Sequence, residues 1–285
     1  MGKIKNSTVL VTGGASGIGK LIARRCIEKG AKNLIIWDIN PEALKAVTAE
    51  LSGKGCMVQP YEVDVADLSD IEFAADDIKK TIGDVDILFN NAGIVVGKLF
   101  HEHSSRDIEK TIRINVLGAM HTTNAFLPDM VAQKRGHIVN ISSAASFLAN
   151  PKMSVYVASK WAVTGWSESL RLELEKIGGD LHVTTVCPSY INTGMFEGVT
   201  APLLTPILEP EYIVNKILKG VENNSVFVRE PLATRSIPVM KGLLPLRVFD
   251  FVADRIFGVY GTMGEFIGRP KEMAVPDKKK KITLS

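Results

Sequence analysis

The chain has 285 residues, of which 46% are hydrophobic and 23% are charged, values that are ordinary for a soluble globular protein. This length suits one large α/β domain or two small ones and allows a sizeable core. The formal net charge of +3 gives no general argument for nucleic-acid binding, so we expect no nucleic-acid partner. The visible basic bias is a run of four lysines at residues 278–281, and such runs are usually solvated.

Cysteine usage and hydropathy indicate the compartment. Cys26, Cys56 and Cys187 lack pair spacing and form no metal-type cluster, so we predict a reducing compartment and no metal site. The N-terminus resembles no secretion signal, and no stretch reaches the roughly 20 uninterrupted apolar residues of a spanning helix. We therefore expect a cytoplasmic protein, soluble or peripheral on an intracellular membrane or lipid surface, and not secreted.

Short apolar runs alternate with helical patterns along most of the chain. The predicted strands are residues 8–11, 33–37, 57–63, 85–89, 137–142, 182–187 and 225–229. The predicted helices are residues 17–29, 41–51, 68–82, 105–134, 156–176 and 211–223. Strands that are apolar on both faces and separated by helices indicate a parallel sheet covered on each side. The predicted fold class is α/β: a single doubly wound, Rossmann-like parallel sheet of about seven strands with helices on both faces.

A glycine-rich turn, Thr12-Gly-Gly-Ala-Ser-Gly-Ile-Gly19, lies between the first predicted strand and the first predicted helix. Glycine permits positive φ and lets the backbone approach a pyrophosphate, whose charge faces the helix N-terminus. A glycine triplet alone is weak evidence, but the flanking strand and helix and an acidic residue ending the second strand agree with this interpretation. A tight turn without a ligand is the alternative. The predicted dinucleotide contacts in this turn are Gly13, Ser16, Gly17, Ile18 and Gly19.

Asp38 lies at the tip of the second predicted strand. A carboxylate there can accept hydrogen bonds from both ribose hydroxyls of the adenosine half and would repel a 2′-phosphate. No arginine or lysine occurs between Gly13 and Gly19 to receive such a phosphate, so we predict NAD rather than NADP as the cofactor. Asp64 and Val65 follow the third predicted strand and are predicted cofactor contacts, with Asp64 placed to meet the adenine amino group. Either acidic residue could instead cap the helix that follows it.

Tyr156 and Lys160 are four residues apart on a predicted helix and therefore lie on one face. A free phenol has a pKa near ~10, but a nearby ammonium and an oxidised nicotinamide both favour the phenolate. This tuning suits a tyrosine to general acid–base catalysis. Ser143 can then hold the substrate oxygen while a hydride passes between the carbinol carbon and the nicotinamide ring. A Tyr-x-x-x-Lys pair taken alone is common and usually has a surface or core role.

Together these motifs resemble the short-chain dehydrogenase/reductase family. The matching motifs, in the expected order over about the first 200 residues, are Thr12-Gly-x-x-x-Gly-Ile-Gly19, Asn90-Asn91-Ala92-Gly93, Asn115, Ser143 with Tyr156-x-x-x-Lys160, and Pro188 followed by Thr193. The resemblance implies that Ser143 positions the substrate oxygen and that Tyr156 is the acid/base. It also implies that Lys160 holds the nicotinamide ribose and lowers the tyrosine pKa. Ser142 is the adjacent rival of Ser143, but the thirteen-residue gap to Tyr156 in this family favours Ser143.

The same resemblance implies further roles. Asn115 would hold a water that continues a proton relay from Lys160, although a buried asparagine in a long helix can also be structural. The other implied contacts are Asn91, Ala92 and Gly93 on the adenosine side and Pro188, Ile191 and Thr193 at the nicotinamide carboxamide. The family usually has glycine where this sequence has Ser189, which puts the local turn geometry in question. We also expect a homodimer or homotetramer.

Two segments bear on the substrate. Residues 194–210 are apolar and punctuated by proline, as expected of a lid over a lipophilic ligand, although a loop packed on the core is the alternative. In residues 237–263, Val248, Val252, Ile256 and Val259 recur at helical spacing and predict an amphipathic helix. This helix could contact a membrane surface, cover the pocket, form a subunit contact or pack internally. We therefore divide the chain into an NAD-binding catalytic domain at 1–235, which includes the lid, and an apolar extension with a basic tail at 236–285.

The run 193–198 and the apolar C-terminal segment resemble the retinol and 17β-hydroxysteroid dehydrogenase subgroup of the family, which implies a role in lipid metabolism. The sequence thus predicts an NAD-dependent short-chain alcohol dehydrogenase/reductase that acts on the CH–OH group or carbonyl of a lipophilic, retinoid- or steroid-like molecule. The alternatives are an NAD(P)H-dependent oxoacyl or small-carbonyl reductase of the same fold and a non-enzymatic, dinucleotide-binding scaffold at a membrane surface.

Overall fold

A computed structural model describes residues 2–268 of the chain. The seven strands are β1 (Thr8–Thr12), β2 (Asn33–Asp38), β3 (Met57–Glu62), β4 (Ile87–Asn90), β5 (Arg135–Ile141), β6 (Asp180–Pro188) and β7 (Phe227–Glu230). They form one sheet in the order β3-β2-β1-β4-β5-β6-β7, and every neighbouring pair is parallel. The predicted fold class is therefore confirmed.

Helices connect the strands. Those that lie between strands are α1 (Gly17–Glu28), α2 (Pro41–Leu51), α3 (Leu68–Thr81), α4 (Ser105–Ile112), α5 (Ala119–Gln133), α6 (Ser154–Ile177) and α7 (Pro210–Glu222). The long helix predicted at residues 105–134 is interrupted by a π-helical segment, Arg113–Gly118, between α4 and α5. Apart from this interruption, each predicted strand and helix up to residue 230 matches the structure to within two residues at both ends.

The central strands are buried on both faces, which explains why their sequences are unbroken runs of apolar residues. In β1, Val9 and Val11 contribute to the core on one side of the sheet, whereas Leu10 contributes to the core on the other. In β2, Leu34 and Ile36 face the first core and Ile35 faces the second. Successive side chains of a strand point to opposite faces, so a sheet covered on both sides needs apolar residues at every position.

The order of the strands creates a crevice. The chain passes from β1 to β2 and β3 on one side of the sheet, and then returns to place β4 on the other side of β1. The loops that follow β1 and β4 therefore leave the sheet in opposite directions. In such sheets ligands bind outside the carboxyl ends of the strands at this switch point.

The C-terminal segment differs from the single amphipathic helix that the sequence predicts. It consists of α8 (Ile237–Leu243), α9 (Leu246–Phe251), a π-helical segment Val252–Ile256 and a 3₁₀ turn Val259–Gly261. Its buried residues are Phe249 and Ala253. Of the four residues predicted on the apolar face, Val252 and Val259 line the cavity, whereas Val248 and Ile256 are about half exposed. The large Phe249 ring buries more apolar area than the smaller Val248 would.

Within residues 2–268, no helix is both long and apolar enough to cross a membrane. The lysine run at 278–281, on which part of the expected surface contact rests, lies outside the described residues.

Candidate active site

The carboxyl ends of the strands open into a cavity of about 560 Å³. Every predicted site residue lines this cavity except Gly19 and Asn115. Residues contributed by the loops after all seven strands meet there, together with the segment 237–259. The tertiary structure thus brings the predicted catalytic and cofactor-binding residues to one place.

The turn between β1 and α1 presents the helix N-terminus to the cavity. Gly13 and Gly17 have φ of 62° and 53°, the left-handed region that glycine adopts without strain. Ser16 precedes the helix, and its side chain makes no capping hydrogen bond to the first turn. The N–H groups of that turn therefore remain available for an anion, which the helix dipole also favours.

Gly19 and Asn91 shape this turn. A Cβ at Gly19 would overlap the carbonyl oxygen of Gly13 and would lie 2.5 Å from Asn91 Nδ2. Asn91 Nδ2 donates to the carbonyl oxygens of Thr12 at 2.9 Å and Gly13 at 3.1 Å. Gly19 is therefore needed for close packing behind the turn rather than for a surface that faces the cavity. Asn91 has two roles: its side chain supports the turn from behind, and it also lines the cavity.

Thr12 joins the ends of β1 and β4, a role that the sequence pattern did not indicate. Its Oγ1 accepts hydrogen bonds from the backbone N–H groups of Asn91 and Ala92, both at 3.0 Å, and donates to the carbonyl oxygen of Phe89. The side chain is buried. Thr12 thus fixes the loop after β4 against the phosphate turn. Its hydroxyl satisfies the backbone N–H of Ala92, whereas the N–H of Asn91 also donates to the carbonyl oxygen of Phe89 at 3.0 Å.

Asp38 orders the same turn from the side of β2. Its carboxylate accepts the N–H of Ala15 at 3.0 Å and the N–H of Asn40 at 3.1 Å while it lines the cavity. Asn40 rather than Asp38 caps α2. In the next loop Asp67 rather than Asp64 caps α3, and Asp64 accepts the N–H of Ala66. The alternative in which Asp38 or Asp64 caps the following helix is therefore wrong.

Ser143 and Tyr156 form a buried pair beyond the end of β5. Ser143 Oγ accepts the N–H of Ala145 at 3.1 Å, which fixes the hydroxyl at the start of a 3₁₀ turn. Burial raises the pKa of the Tyr156 phenol well above its ordinary value, and a hydrogen bond with the Ser143 hydroxyl offsets part of the rise. Ser142 Oγ donates instead to the carbonyl oxygen of Lys160 at 3.0 Å, which favours Ser143 as the residue that is free to hold a substrate oxygen.

Lys160 is buried beside this pair. Its ammonium Nζ donates to the carbonyl oxygen of Ile141 at 2.8 Å and lies 5.6 Å from the centroid of the Tyr156 ring. Burial lowers the pKa of Lys160 to about 8, because the charged form loses solvation. Burial and Ser143 are the largest influences on the Tyr156 pKa, so the lowering by Lys160 that the resemblance implies stays a prediction.

Asn115 lies in the π-helical segment, behind the cavity wall. Its Oδ1 accepts the N–H of Ile94 at 2.8 Å, and its Nδ2 donates to the carbonyl oxygen of Ile94 and to Ser159 Oγ. The side chain thus joins the loop after β4 to α6. π-Helical turns are frequent at functional sites, where they re-aim a side chain. The water relay assigned to Asn115 by resemblance stays a prediction.

The turn after Pro188 does not need the glycine that the resemblance implies. Ser189 has no positive φ, and its N–H donates to the carbonyl oxygen of Glu230 at 2.8 Å, so it extends the pairing of β6 with β7. An L-residue adopts this conformation without strain. The substitution therefore leaves Pro188, Ile191 and Thr193 on the cavity wall.

Comparison with known proteins now decides the family. A sequence model described as short chain dehydrogenase matches residues 7–203. The chain belongs to this family. Mouse epidermal retinol dehydrogenase 2 is 37% identical over 94% of this chain and 88% of its own length. Human estradiol 17-beta-dehydrogenase 11 is 36% identical over 89% of this chain and 84% of its own length.

Solved structures of similar fold contain either dinucleotide. A short chain dehydrogenase/reductase from Burkholderia phymatum in complex with NAD has a TM-score of 0.77 and 25% identity, covering 85% of this chain and 95% of its own. A short-chain dehydrogenase from Sphingobium yanoikuyae in complex with NADPH has a TM-score of 0.73 and 28% identity, covering 81% and 90%. The similarity therefore indicates a nicotinamide dinucleotide without choosing between the two.

Next to Tyr156, the cavity of this short-chain dehydrogenase extends into an apolar chamber. The apolar residues that line it from the lid and the C-terminal segment are Met195, Phe196, Leu203, Leu204, Ile237, Met240, Phe249 and Val252. Phe196 packs edge-on against the Tyr156 ring, with centroids 6.0 Å apart. The segment 194–210 thus contributes directly to the wall, and the C-terminal segment covers the chamber. Sequence reasoning did not find Asn150 and Tyr190, two polar residues that also line it.

Proposed function

We propose that this short-chain dehydrogenase is NAD-dependent and interconverts the alcohol and the carbonyl of a lipophilic, retinoid- or steroid-like molecule. The observation that carries the proposal is the position of Ser143, Tyr156 and Lys160 between the dinucleotide turn and an apolar chamber. A largely apolar pocket with a few polar groups at one end suits a greasy molecule with a single reacting oxygen. The retinol and estradiol dehydrogenases named above are consistent with this substrate class.

Asp38 supports NAD as the cofactor. Its carboxylate lies on the cavity wall at the end of β2, where it would accept from the adenosine ribose and repel a 2′-phosphate. Two basic side chains of α1, Lys20 and Arg24, are each 2.6 Å from the carboxylate of Glu50. Their charge is therefore already paired, which leaves less positive potential for a phosphate.

The residues of the cavity fit the dinucleotide, and each has a defined task. The N–H groups of the first turn of α1 would hold the pyrophosphate, Asp38 the adenosine ribose and Lys160 the nicotinamide ribose. When bound, NAD accepts or supplies the hydride. In oxidation, the Tyr156 oxygen takes the proton of the substrate hydroxyl, and Ser143 Oγ forms a hydrogen bond with the substrate oxygen. In reduction, Tyr156 returns that proton to the carbonyl oxygen, and the Lys160 ammonium stabilises the phenolate between the two states.

The test uses the purified full-length chain with NAD or NADP and three alcohols: retinol, estradiol and cyclohexanol. We expect kcat/KM to be highest with NAD and one of the two large alcohols, with product measured by chromatography. Tyr156→Phe should lower turnover by about 10²–10⁴-fold. Tyr61→Phe, which removes a hydroxyl bonded to Asp77 away from the cavity, should retain wild-type rates. Full activity of Tyr156→Phe would mean that the assigned mechanism is wrong.

The cofactor choice has its own measurement. Asp38→Ala should reduce the preference for NAD over NADP by at least roughly tenfold, because repulsion of the 2′-phosphate is lost. An unchanged preference would show that Asp38 does not select the cofactor. A wild-type enzyme that prefers NADPH and cyclohexanone would instead favour the small-carbonyl reductase. No turnover of any alcohol, with dinucleotide still bound, would favour the non-enzymatic scaffold.

We also propose that the protein meets its substrate at a lipid surface. Several apolar side chains of the segment that covers the chamber point to solvent: Val239, Leu243, Leu246, Phe251 and Ile256. An exposed arginine, Arg247, accompanies them and would favour an anionic surface, whereas Arg255 lies 3.6 Å from the carboxylate of Asp254. A substrate that partitions into lipid could then pass from the surface to the chamber without crossing water.

A further inference from the structure

Three polar side chains meet at the wall of the chamber, which Asn150 and Tyr190 line. Asn150 follows β5, Tyr190 follows β6, and Thr262 belongs to the C-terminal segment. Asn150 Nδ2 lies 3.0 Å from the Tyr190 hydroxyl oxygen and 2.8 Å from Thr262 Oγ1, and the two hydroxyl oxygens are 2.8 Å apart. We call Asn150, Tyr190 and Thr262 the polar triad. It links three segments that are distant in sequence.

The directions of the hydrogen bonds within the polar triad can be assigned. Thr262 Oγ1 donates to the carbonyl oxygen of Val259 at 2.9 Å, so the Tyr190 hydroxyl is the donor between the two hydroxyl groups. Asn150 Nδ2 has two hydrogens and donates one to each hydroxyl oxygen. Each hydroxyl is then both donor and acceptor, and no hydroxyl hydrogen remains free. These bonds hold the three side chains together, because breaking one leaves further buried polar groups unpaired; Asn150 Oδ1 is buried and already has no partner among the described residues.

The polar triad controls the position of an aromatic wall beside the catalytic tyrosine. The Tyr190 ring packs edge-on against Phe196 with centroids 5.2 Å apart, and Phe196 packs in the same manner against Tyr156 at 6.0 Å. Met153, Tyr156 and Met263 are buried in the same apolar cluster, against which Tyr190 and Phe196 pack. A movement of Tyr190 would therefore change the space next to the reacting oxygen.

The segment that carries Thr262 is also joined to the lid. The N–H of Thr200 donates to the carbonyl oxygen of Thr262 at 3.1 Å, and the N–H of Ile267 donates to that of Glu197 at 2.9 Å. A side chain at Gly198 would overlap the carbonyl oxygen of Glu265, so the two strips of backbone touch directly. The lid and the C-terminal segment thus form a single cover that the polar triad fastens to the loops after β5 and β6.

We propose that Tyr190 is a positioning residue that, held by Asn150 and Thr262, sets the width of the chamber beside Tyr156 and so discriminates substrates by their bulk. The inference rests on the proposed function in taking a lipophilic alcohol as the substrate. It makes the C-terminal segment part of the specificity apparatus through Thr262. The Tyr190 hydroxyl touches neither substrate nor cofactor in this role, because its oxygen is bonded to Asn150 and Thr262 and its remaining polar contact is with the Met153 sulfur, 3.8 Å away.

Conservative removal of the hydroxyls tests the proposal. Tyr190→Phe and Thr262→Val keep the side-chain volume but open the polar triad, and Tyr61→Phe is the matched control. With retinol and estradiol as probes, we expect KM to rise about tenfold in either variant while kcat changes less than about twofold. With cyclohexanol, which does not span the chamber, KM should stay within about twofold of the wild-type value. The double variant should resemble the single variants, since both remove the hydrogen bond between Tyr190 and Thr262.

A second measurement does not depend on turnover. Hydrogen exchange of the backbone N–H groups of Thr200 and Ile267 should be faster by about fivefold or more in both variants, because local opening of the cover becomes easier. The same groups should exchange at the wild-type rate in Tyr61→Phe. Unchanged exchange together with unchanged KM values would overturn the proposal. If the wild-type protein turns over none of the three alcohols, the proposed function fails, and the exchange rates still decide whether the polar triad fastens the cover.

Discussion

The charge of Lys160 conflicts with its surroundings. Its ammonium is buried and, among the described residues, donates one hydrogen bond, to the carbonyl oxygen of Ile141. Burial of a charge with so little compensation is unfavourable, which is why the pKa of Lys160 falls to about 8. A buried charge of this kind lowers stability, which agrees with the catalytic role that we propose for Lys160.

The sign of the resulting pH dependence follows from proton binding. The folded protein releases the Lys160 proton near pH 8, whereas an unfolded lysine keeps it until about pH 10.4. Within that window the unfolded chain binds more protons, so the contribution of Lys160 makes the folded state more stable as pH rises. Below pH 8 this contribution is at its most unfavourable.

We therefore expect Lys160→Met to be more stable than the wild type at pH 7, by roughly 1–3 kcal/mol in the free energy of unfolding. The difference should shrink towards pH 10, while activity is lost at every pH. Urea denaturation at pH 7 and at pH 10 measures the difference in the free energy of unfolding between the two proteins at each pH. The difference between the two proteins isolates Lys160 from Cys187, whose pKa burial raises to about 11 and which titrates in both. A less stable variant at pH 7 would contradict this account.

At the scale of elements, the turn between β1 and α1 depends on a close approach of backbone to backbone. Gly19 begins the helix directly behind Gly13, and Asn91 from the loop after β4 donates to both Thr12 and Gly13. The turn is therefore braced by β4 as well as by its own glycines. This geometry exists only because β4 is the neighbour of β1 in the sheet.

Gly19→Ala should consequently destabilise the protein and weaken dinucleotide binding. The added methyl would overlap the Gly13 carbonyl oxygen and crowd Asn91, at a cost of roughly 1–3 kcal/mol. Gly165→Ala is the control, because a methyl on that exposed position of α6 meets nothing within 4 Å. That variant should gain about 0.5–1 kcal/mol from the better helix propensity of alanine. Thermal unfolding and NAD titration by fluorescence distinguish the two; equal effects would contradict the packing argument.

At the scale of the whole molecule, the cover of the chamber has two different faces. Phe249 and Ala253 are buried towards the chamber, whereas Leu243 is 78% exposed and Phe251 is 61% exposed on the outside. An apolar patch of this kind usually marks an interaction surface. Its position over the substrate chamber is the reason for proposing a lipid surface as the partner.

A vesicle assay tests this surface. Leu243→Asp and Phe251→Asp should each reduce sedimentation with phosphatidylcholine–phosphatidylserine vesicles by at least about threefold, since an aspartate at the interface is repelled by anionic lipid. Phe73→Asp is the matched control, because Phe73 on α3 is 79% exposed and equally apolar. Equal binding by all four proteins, the wild type included, would rule out this face as the contact. The homodimer or homotetramer expected from the sequence stays a prediction.

Periodicity and motif spacing predicted the sheet, the order of helices and the residues of the catalytic cluster, because each of these is written in neighbouring residues. In β1 and β2, neighbouring apolar residues alternate between the two cores on the two faces of the sheet. Tyr156 and Lys160 are one helical turn apart. The C-terminal segment was harder to predict, since several apolar residues compete for its inward face. Phe249 is buried on the inward face, whereas Val248 is about half exposed.

The sequence by itself determined the fold, the family resemblance and the candidate catalytic groups, since local pattern and short motifs carry that information. Only the tertiary structure decided how those groups are held. Asn115 is bonded to Ile94, 21 residues away, and Asn150 to Thr262, 112 residues away. Such contacts depend on how distant segments pack against one another, and nothing in the local pattern of either segment indicates the other. The chamber and its cover are therefore visible only in the tertiary structure, because contacts between distant segments form them.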